Sequence, residues 1–214
     1  MTQLPQSTIY GKRMPKEKFY SHLELSPAVK RSFVNDVDYF VWQNKLSPTT
    51  INIEEGERVK EIAIFNVYLK GESYAPEVFE VIDRNVPVYV LYVLHYDSKV
   101  KLLASYKEPN ASKFGSFKIV RTFVSDWLNN DDISLQLEGL NLDVVYENFV
   151  RQIAGAKLQE CSSESIVEDI AEQQRKEKIE REIAQLQAKK RKEKQFNKQI
   201  AISAEIKKLK DRYE

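Results

Sequence analysis

The last quarter of this chain has too few large apolar groups to build a core of its own. No proline follows Pro109 and no glycine follows Gly155. Of the 23 aromatic residues (11 Tyr, 10 Phe, 2 Trp), all but Phe196 and Tyr213 precede residue 160. Residues 161–214 hold 14 Lys+Arg and 11 Asp+Glu, so 25 of 54 are charged, against 40 of the first 160. A core needs large apolar side chains to offset conformational entropy. The break predicts a globular domain over 1–157, a polar joint over 158–165, and a charged helical or coiled-coil extension over 166–214.

Within the body, Ser26-Pro27 reads as an N-cap followed by proline at the first helical position. Val29, Phe33, Val37, Phe40 and Val41 recur at helical spacing, predicting one helix to about Lys45, stopped by Ser47-Pro48. Glu61–Leu69 is β-branched and aromatic and reads as a strand. Pro76–Asn85 reads as a short helix with Val78, Phe79 and Ile82 inward. Val88–Tyr96 is apolar on both faces, which predicts a central strand covered on both sides. Asp97-Ser98 turns the chain into a second strand, Val100–Tyr106. Phe117–Val124 is another strand. Asn141 caps a last helix carrying Leu142, Val145, Tyr146, Phe149, Val150 and Ile153. The class is therefore α+β, with a mostly antiparallel sheet of about four to five strands and packed helices.

The tail holds helix formers and no breaker. Ile179, Ile183 and Leu186 form one short seam, and Ile202, Ile206 and Leu209 a second. Lys190, Glu193 and Asn197 interrupt the heptad between them. The pattern leaves open one long helix or a hairpin folding near Gln195. Neither has an apolar face wide enough to stand alone, so the tail is expected to bind a partner through these six residues, or to self-associate.

Much chemistry is excluded. One cysteine cannot make a disulfide framework or a cysteine-based zinc site. The six glycines are too far apart for a phosphate-cradling loop. A formal net charge of +1 gives no global basic field. No signal peptide or membrane-spanning run is visible, and a lone thiol fits a reducing compartment, so the expected location is cytoplasmic. A metal nuclease needs converging carboxylates beside a lysine. The acid-x-Lys triplets are Asp97-Ser98-Lys99, on a turn, and Glu205-Ile206-Lys207, on the charged tail. The strand Glu61–Leu69 offers Asn66 and Tyr68 where a carboxylate is needed. No catalytic residue, metal ligand or cofactor is expected.

Individual residues have bland readings beside sharper ones. His95, with Asp97 two residues on, has the spacing of a base and its orienting acid, but also that of a histidine at a sheet's rim. Asp83, before Val86-Pro87, reads as tying down a turn. Trp42 reads as core, His22 as exposed, and Cys161 as an unactivated thiol in the joint. Lys189, Lys190, Arg191 and Lys192 form one basic group, and Lys12, Arg13 and Lys16 a smaller one. Both are candidate contacts for nucleic acid or for an acidic patch on a partner. The first group equally suits a solvated helix, and the second an N-terminal arm lying across its own domain.

Several segments carry a family resemblance: Leu4-Pro5-Gln6-Ser7-Thr8, Lys12-Arg13-Met14-Pro15-Lys16-Glu17-Lys18-Phe19-Tyr20, Trp42-Gln43-Asn44-Lys45-Leu46-Ser47-Pro48 and Ile82-Asp83-Arg84-Asn85-Val86-Pro87. Tyr106-Lys107-Glu108, Gly139-Leu140-Asn141-Leu142-Asp143, Tyr146-Glu147-Asn148 and Lys192-Glu193-Lys194-Gln195-Phe196-Asn197 continue it in order. The chain resembles the bacterial family known as domain of unknown function 4391. The resemblance brings no catalytic residue. It implies a genetic neighbourhood containing a DEAD/DEAH-type helicase and a DNA methyltransferase, of the kind found in restriction or phage defence. The expected function is a non-enzymatic accessory or scaffold subunit of such a complex, with the helicase or methyltransferase as protein partner and no membrane. The alternatives are a metal-dependent nuclease and a nucleic-acid-binding adaptor in the same system.

Overall fold

The computed structural model describes residues 4–21, 23, 25–112, 115–155, 158 and 165–211. It divides into two compact units, residues 1–155 and 156–214. The first is α+β. Its strands are β1 (Ile9–Met14), β2 (Val37–Leu46), β3 (Ile62–Leu69), β4 (Tyr89–Tyr96), β5 (Lys99–Pro109), β6 (Phe117–Val124) and the two-residue β7 (Leu128–Asn129). Its helices are α1 (Glu17–Ser21), α2 (Pro27–Asn35), α3 (Glu77–Asn85) and α4 (Leu142–Ala154).

Strands β1 to β6 lie side by side in sequence order, and β7 pairs with β5. Every pairing is antiparallel except β3 with β4, which are parallel. The sheet is thus larger than the expected four to five strands, and it is mixed. The parallel pair follows from α3, which carries the chain back between β3 and β4 as a crossover. β4 is buried along its first six residues, as its continuous apolar run demands.

One predicted feature needs correction. The helix expected over 27–45 ends at Asn35, and β2 begins at Val37. Val29, Phe33, Val37 and Phe40 satisfy a helical period, but Val37 and Phe40 belong to a β-branched and aromatic run that extends instead. Asp36 fixes the break: its side chain accepts from Ala75 N at 3.0 Å, and its carbonyl accepts from Lys70 N at 2.9 Å. The basic segment at Lys12, Arg13 and Lys16 lies across its own domain, as the second reading of it expected. Lys12 and Arg13 lie on edge strand β1, and the Lys16 ammonium donates to Val37 O at 2.8 Å.

Alternation along the strands gives the sheet two faces. One carries Phe40, Phe65, Val67, Val90, Tyr92 and Leu94, packed with Phe33 and with Val78, Phe79 and Ile82 of α3. Trp42 is partly buried against this core. On the other face, Tyr146 of α4 sits edge-on to Tyr89, its hydroxyl donating to Ser105 O at 2.9 Å. The Asn141 side chain accepts from Val144 N, capping α4. Asp143 then accepts from the backbone N–H groups of Glu57 (2.8 Å) and Val59 (2.7 Å), and Arg58 bonds Tyr106 Oη (2.6 Å) and Glu147 (2.5 Å). These bonds hold the 54–60 loop to the helix.

The second unit contains α5 (Ile166–Lys192) and α6 (Phe196–Lys210), separated by Glu193–Gln195 and packed on each other. It is a hairpin, the second of the two forms that the tail sequence allowed. The two seams lie at matching distances from the turn, Leu186 and Ile202 eight residues either side of residue 194 and Ile179 and Leu209 fifteen. Ile202 is buried and the other five are half-buried.

Candidate functional site

The helix-free end of the second sheet face holds a trough of about 460 Å³. It exists because strands β2 to β4 place polar residues there, where α4 does not reach. In β3 the face reads Ile62, Ile64, Asn66, Tyr68, and in β4 Tyr89, Leu91, Val93, His95. Asn66 stands beside Val93 and Tyr68 beside His95 in the parallel register. A bulge in β2 adds Gln43 and Asn44 to the lining. Ile64, Val93 and Ile133 supply apolar wall, and Leu4, Ile9 and Asn130 complete the rim.

The polar groups are incompletely matched. Asn44 is buried and donates to Thr8 Oγ1 at 2.8 Å. Asn66 donates to Gln43 Oε1 at 3.5 Å, the weak limit of a hydrogen bond. His95 Nε2 is buried and has no partner among the described residues. The His95 ring stacks on Tyr68 with centroids 4.8 Å apart, Tyr68 stacks on Tyr39 at 4.3 Å, and the Arg13 guanidinium lies 4.1 Å from the Tyr39 ring centre. Four adjacent strands therefore contribute one rung each to a cation–aromatic ladder that ends in the trough.

Burial pushes the His95 pKa below its ordinary value, so the imidazole is neutral at pH 7. Asp97 does not orient it. It occupies the exposed turn with φ 52°, and no bond joins the two. Because the folded pKa is lower than the unfolded one, stability is expected to fall as pH drops below about 6.5. Asp83, whose carboxyl burial raises to about 6, acts in the opposite sense, gaining stability as pH falls. The difference between wild type and His95→Phe, measured by urea unfolding between pH 5 and 8, isolates the imidazole. It is expected to widen toward pH 5 in favour of the variant.

A second constellation lies under the other face. Asp83 does not tie down a turn. It is fully buried within α3 and accepts from Tyr92 Oη at 3.0 Å, while its Oδ2 has no partner among the described residues. Lys107 is equally buried on β5. Its ammonium donates to the carbonyls of Asp83 (2.8 Å), Val88 (2.8 Å) and Val86 (3.2 Å), and it lies 4.2 Å from the Phe117 ring centre. Burial lowers its pKa to about 8, opposed by Asp83. This site is closed, and its geometry locks the α3 C-terminus to β5.

Among the described residues no group of three His, Cys, Asp or Glu could hold a metal. Asp97 lies on the exposed turn and Lys99 is the exposed first residue of β5, while Glu205 and Lys207 lie on the exposed surface of α6. Lys189, Lys190, Arg191 and Lys192 form the exposed last turn of α5, where positive charge complements the helix dipole. His22 and Cys161 lie outside the described residues. Sequence reasoning missed Gln43 and Asn44, concealed in a segment read as helix, and Lys107, whose partners are carbonyls. Asn66 and Tyr68, polar at i and i+2 in an otherwise apolar strand, were the available signal for the trough.

An α+β sheet with a ligand-sized trough, followed by a helical hairpin, defines the protein's structural class. The family model described as Domain of unknown function (DUF4391) matches residues 3–212, and the chain belongs to that family. No curated protein and no solved structure matches it. No helix among the described residues is long and apolar enough to cross a membrane.

Proposed function

We propose that the protein is an accessory subunit that assembles with other proteins of a bacterial restriction-like or phage-defence complex, and that the α5–α6 hairpin is its docking element. One observation carries this reading: Phe196 is 71% and Ile200 53% exposed, four residues apart on one side of α6. The residues that close the hairpin, Ile202, Ile206 and Leu209, lie on another side. A large aromatic and a β-branched residue held together in water on a heavily charged hairpin form a small apolar anchor. The exposed Lys189–Lys192 turn flanks it and supplies charge for an acidic partner surface. The partner proposed is the helicase or DNA methyltransferase of the implied neighbourhood.

The test is co-purification with each of those proteins. The Phe196→Ala, Ile200→Ala pair is expected to reduce partner recovery at least tenfold, with circular dichroism and thermal unfolding unchanged because both side chains are exposed. Undiminished recovery rejects the hairpin as the docking element.

A further inference from the structure

We propose that the trough on the sheet face binds the edge of a nucleobase, whether as a free nucleoside or as an unstacked base of a strand. Its size is the first argument. About 460 Å³ lies within the range of small-ligand sites, roughly 300–1,000 Å³, and far above what a stray water fills.

Charge is the second argument. Among the described residues the lining contains no Lys, Arg, Asp or Glu. His95 and Tyr68 are both neutral near pH 7, each shifted by burial toward its uncharged form. An ionised ligand group would lose hydration there and gain no counter-charge. The part of the ligand inside the trough is therefore uncharged, and phosphates, if present, stay outside.

The third argument is the pattern of polar atoms. Gln43 and Asn66 stand on neighbouring strands, joined by a 3.5 Å bond weak enough for a ligand to replace, and each carboxamide carries a donor and an acceptor side by side. That edge pairs two-pronged with the N–H/C=O or N/NH₂ edges of a base, the geometry by which Asn and Gln read adenine. His95 Nε2 lacks a partner among the described residues, and a base edge supplies the donor that a neutral imidazole nitrogen accepts from. Ile64, Val93 and Ile133 give the flat apolar contact that a ring face requires, as in pockets that receive an extruded base. A purely aliphatic ligand would leave the carboxamides unmatched, and a sugar would leave the apolar wall wet.

The site belongs to the first compact unit and the docking hairpin to the second, so the two readings stand or fall separately. The test is titration of the full chain with adenosine, guanosine, cytidine and uridine, and with short mixed-sequence single-stranded DNA and RNA. Calorimetry gives affinity, and the ¹⁵N side-chain amide resonances give location. At least one probe is expected to bind and to shift the Gln43, Asn44 and Asn66 amide signals. Two variants are expected to weaken it at least tenfold: Asn66→Leu, and His95→Phe, which keeps the ring stack on Tyr68 and removes Nε2. Binding by nucleosides assigns a free ligand, and binding by oligonucleotides alone assigns a base within a strand. Either supports the proposal. No binding by any probe at millimolar concentration overturns it, as does binding that both variants, shown folded by their amide spectra, leave unchanged.

Discussion

Replacing Lys107 with Met is expected to lower stability by about 3–5 kcal/mol, because it removes the buried ammonium that satisfies three carbonyls and offsets the nearby Asp83 carboxylate. The methionine fills most of the lysine's volume, so packing is a minor part of the loss. What remains is Asp83, fully buried, without its neighbouring cation, and three carbonyls from the α3 end without their donor. The measurement is urea unfolding at pH 7. Asp83→Asn alone is also expected to be destabilising, since Lys107 then becomes the uncompensated charge. The double variant separates this account from simple loss of packing. It is expected to cost about 0.5–3 kcal/mol less than the sum of the single variants, because neither charge is left behind. Strict additivity would show that the two charges do not stabilise each other.

Asp143→Ala is expected to cost about 2–4 kcal/mol, because one carboxylate satisfies the backbone N–H groups of Glu57, Arg58 and Val59. Gly56 belongs to the same joint. A Cβ there would lie 2.7 Å from Asp143 N and would overlap the Asp143 carboxylate, so Gly56→Ala must push the loop off α4. The two changes remove one contact, and their effects are expected to fall short of additive. Hydrogen exchange of residues 54–60 checks the location: protection is expected to drop there and to persist in β4. Unchanged protection of the loop would mean that other contacts hold it.

These sites also show which parts of the molecule the sequence could reveal. β4 was legible because burial on both faces leaves no room for a polar residue until His95. The Asn141 cap and the α3 stripe were legible because their chemistry is local. The start of β2 was not, since Val29, Phe33, Val37 and Phe40 fit a helix as well as a helix–strand boundary. The bond that decides it, Asp36 to Ala75, joins residues 39 apart. β1 was hidden for a different reason: as an edge strand exposed along nearly its whole length, it has no buried face to imprint a pattern. Half of the trough was visible in Asn66, Tyr68 and His95. The other half, Gln43 and Asn44, depended on the strand that was misread. Lys107 left no trace, because a lysine bound to backbone carbonyls selects no complementary side chain.

The strand order has a consequence for how the chain reaches this structure. Because β1 to β6 pair with one another only as sequence neighbours, the sheet can grow by adding the next segment, starting at the two-residue turn between β4 and β5. Only the α3 crossover must close before β3 can join in parallel, and loop closure of that length is fast. The clamp between the 54–60 loop and α4 bridges 84 to 86 residues, so it is expected to close late. A contact absent from the transition state governs escape from the native state and not arrival at it. Asp143 and Gly56 thus act as a latch on the finished fold: their loss shortens the native lifetime while the rate of folding stays as it was.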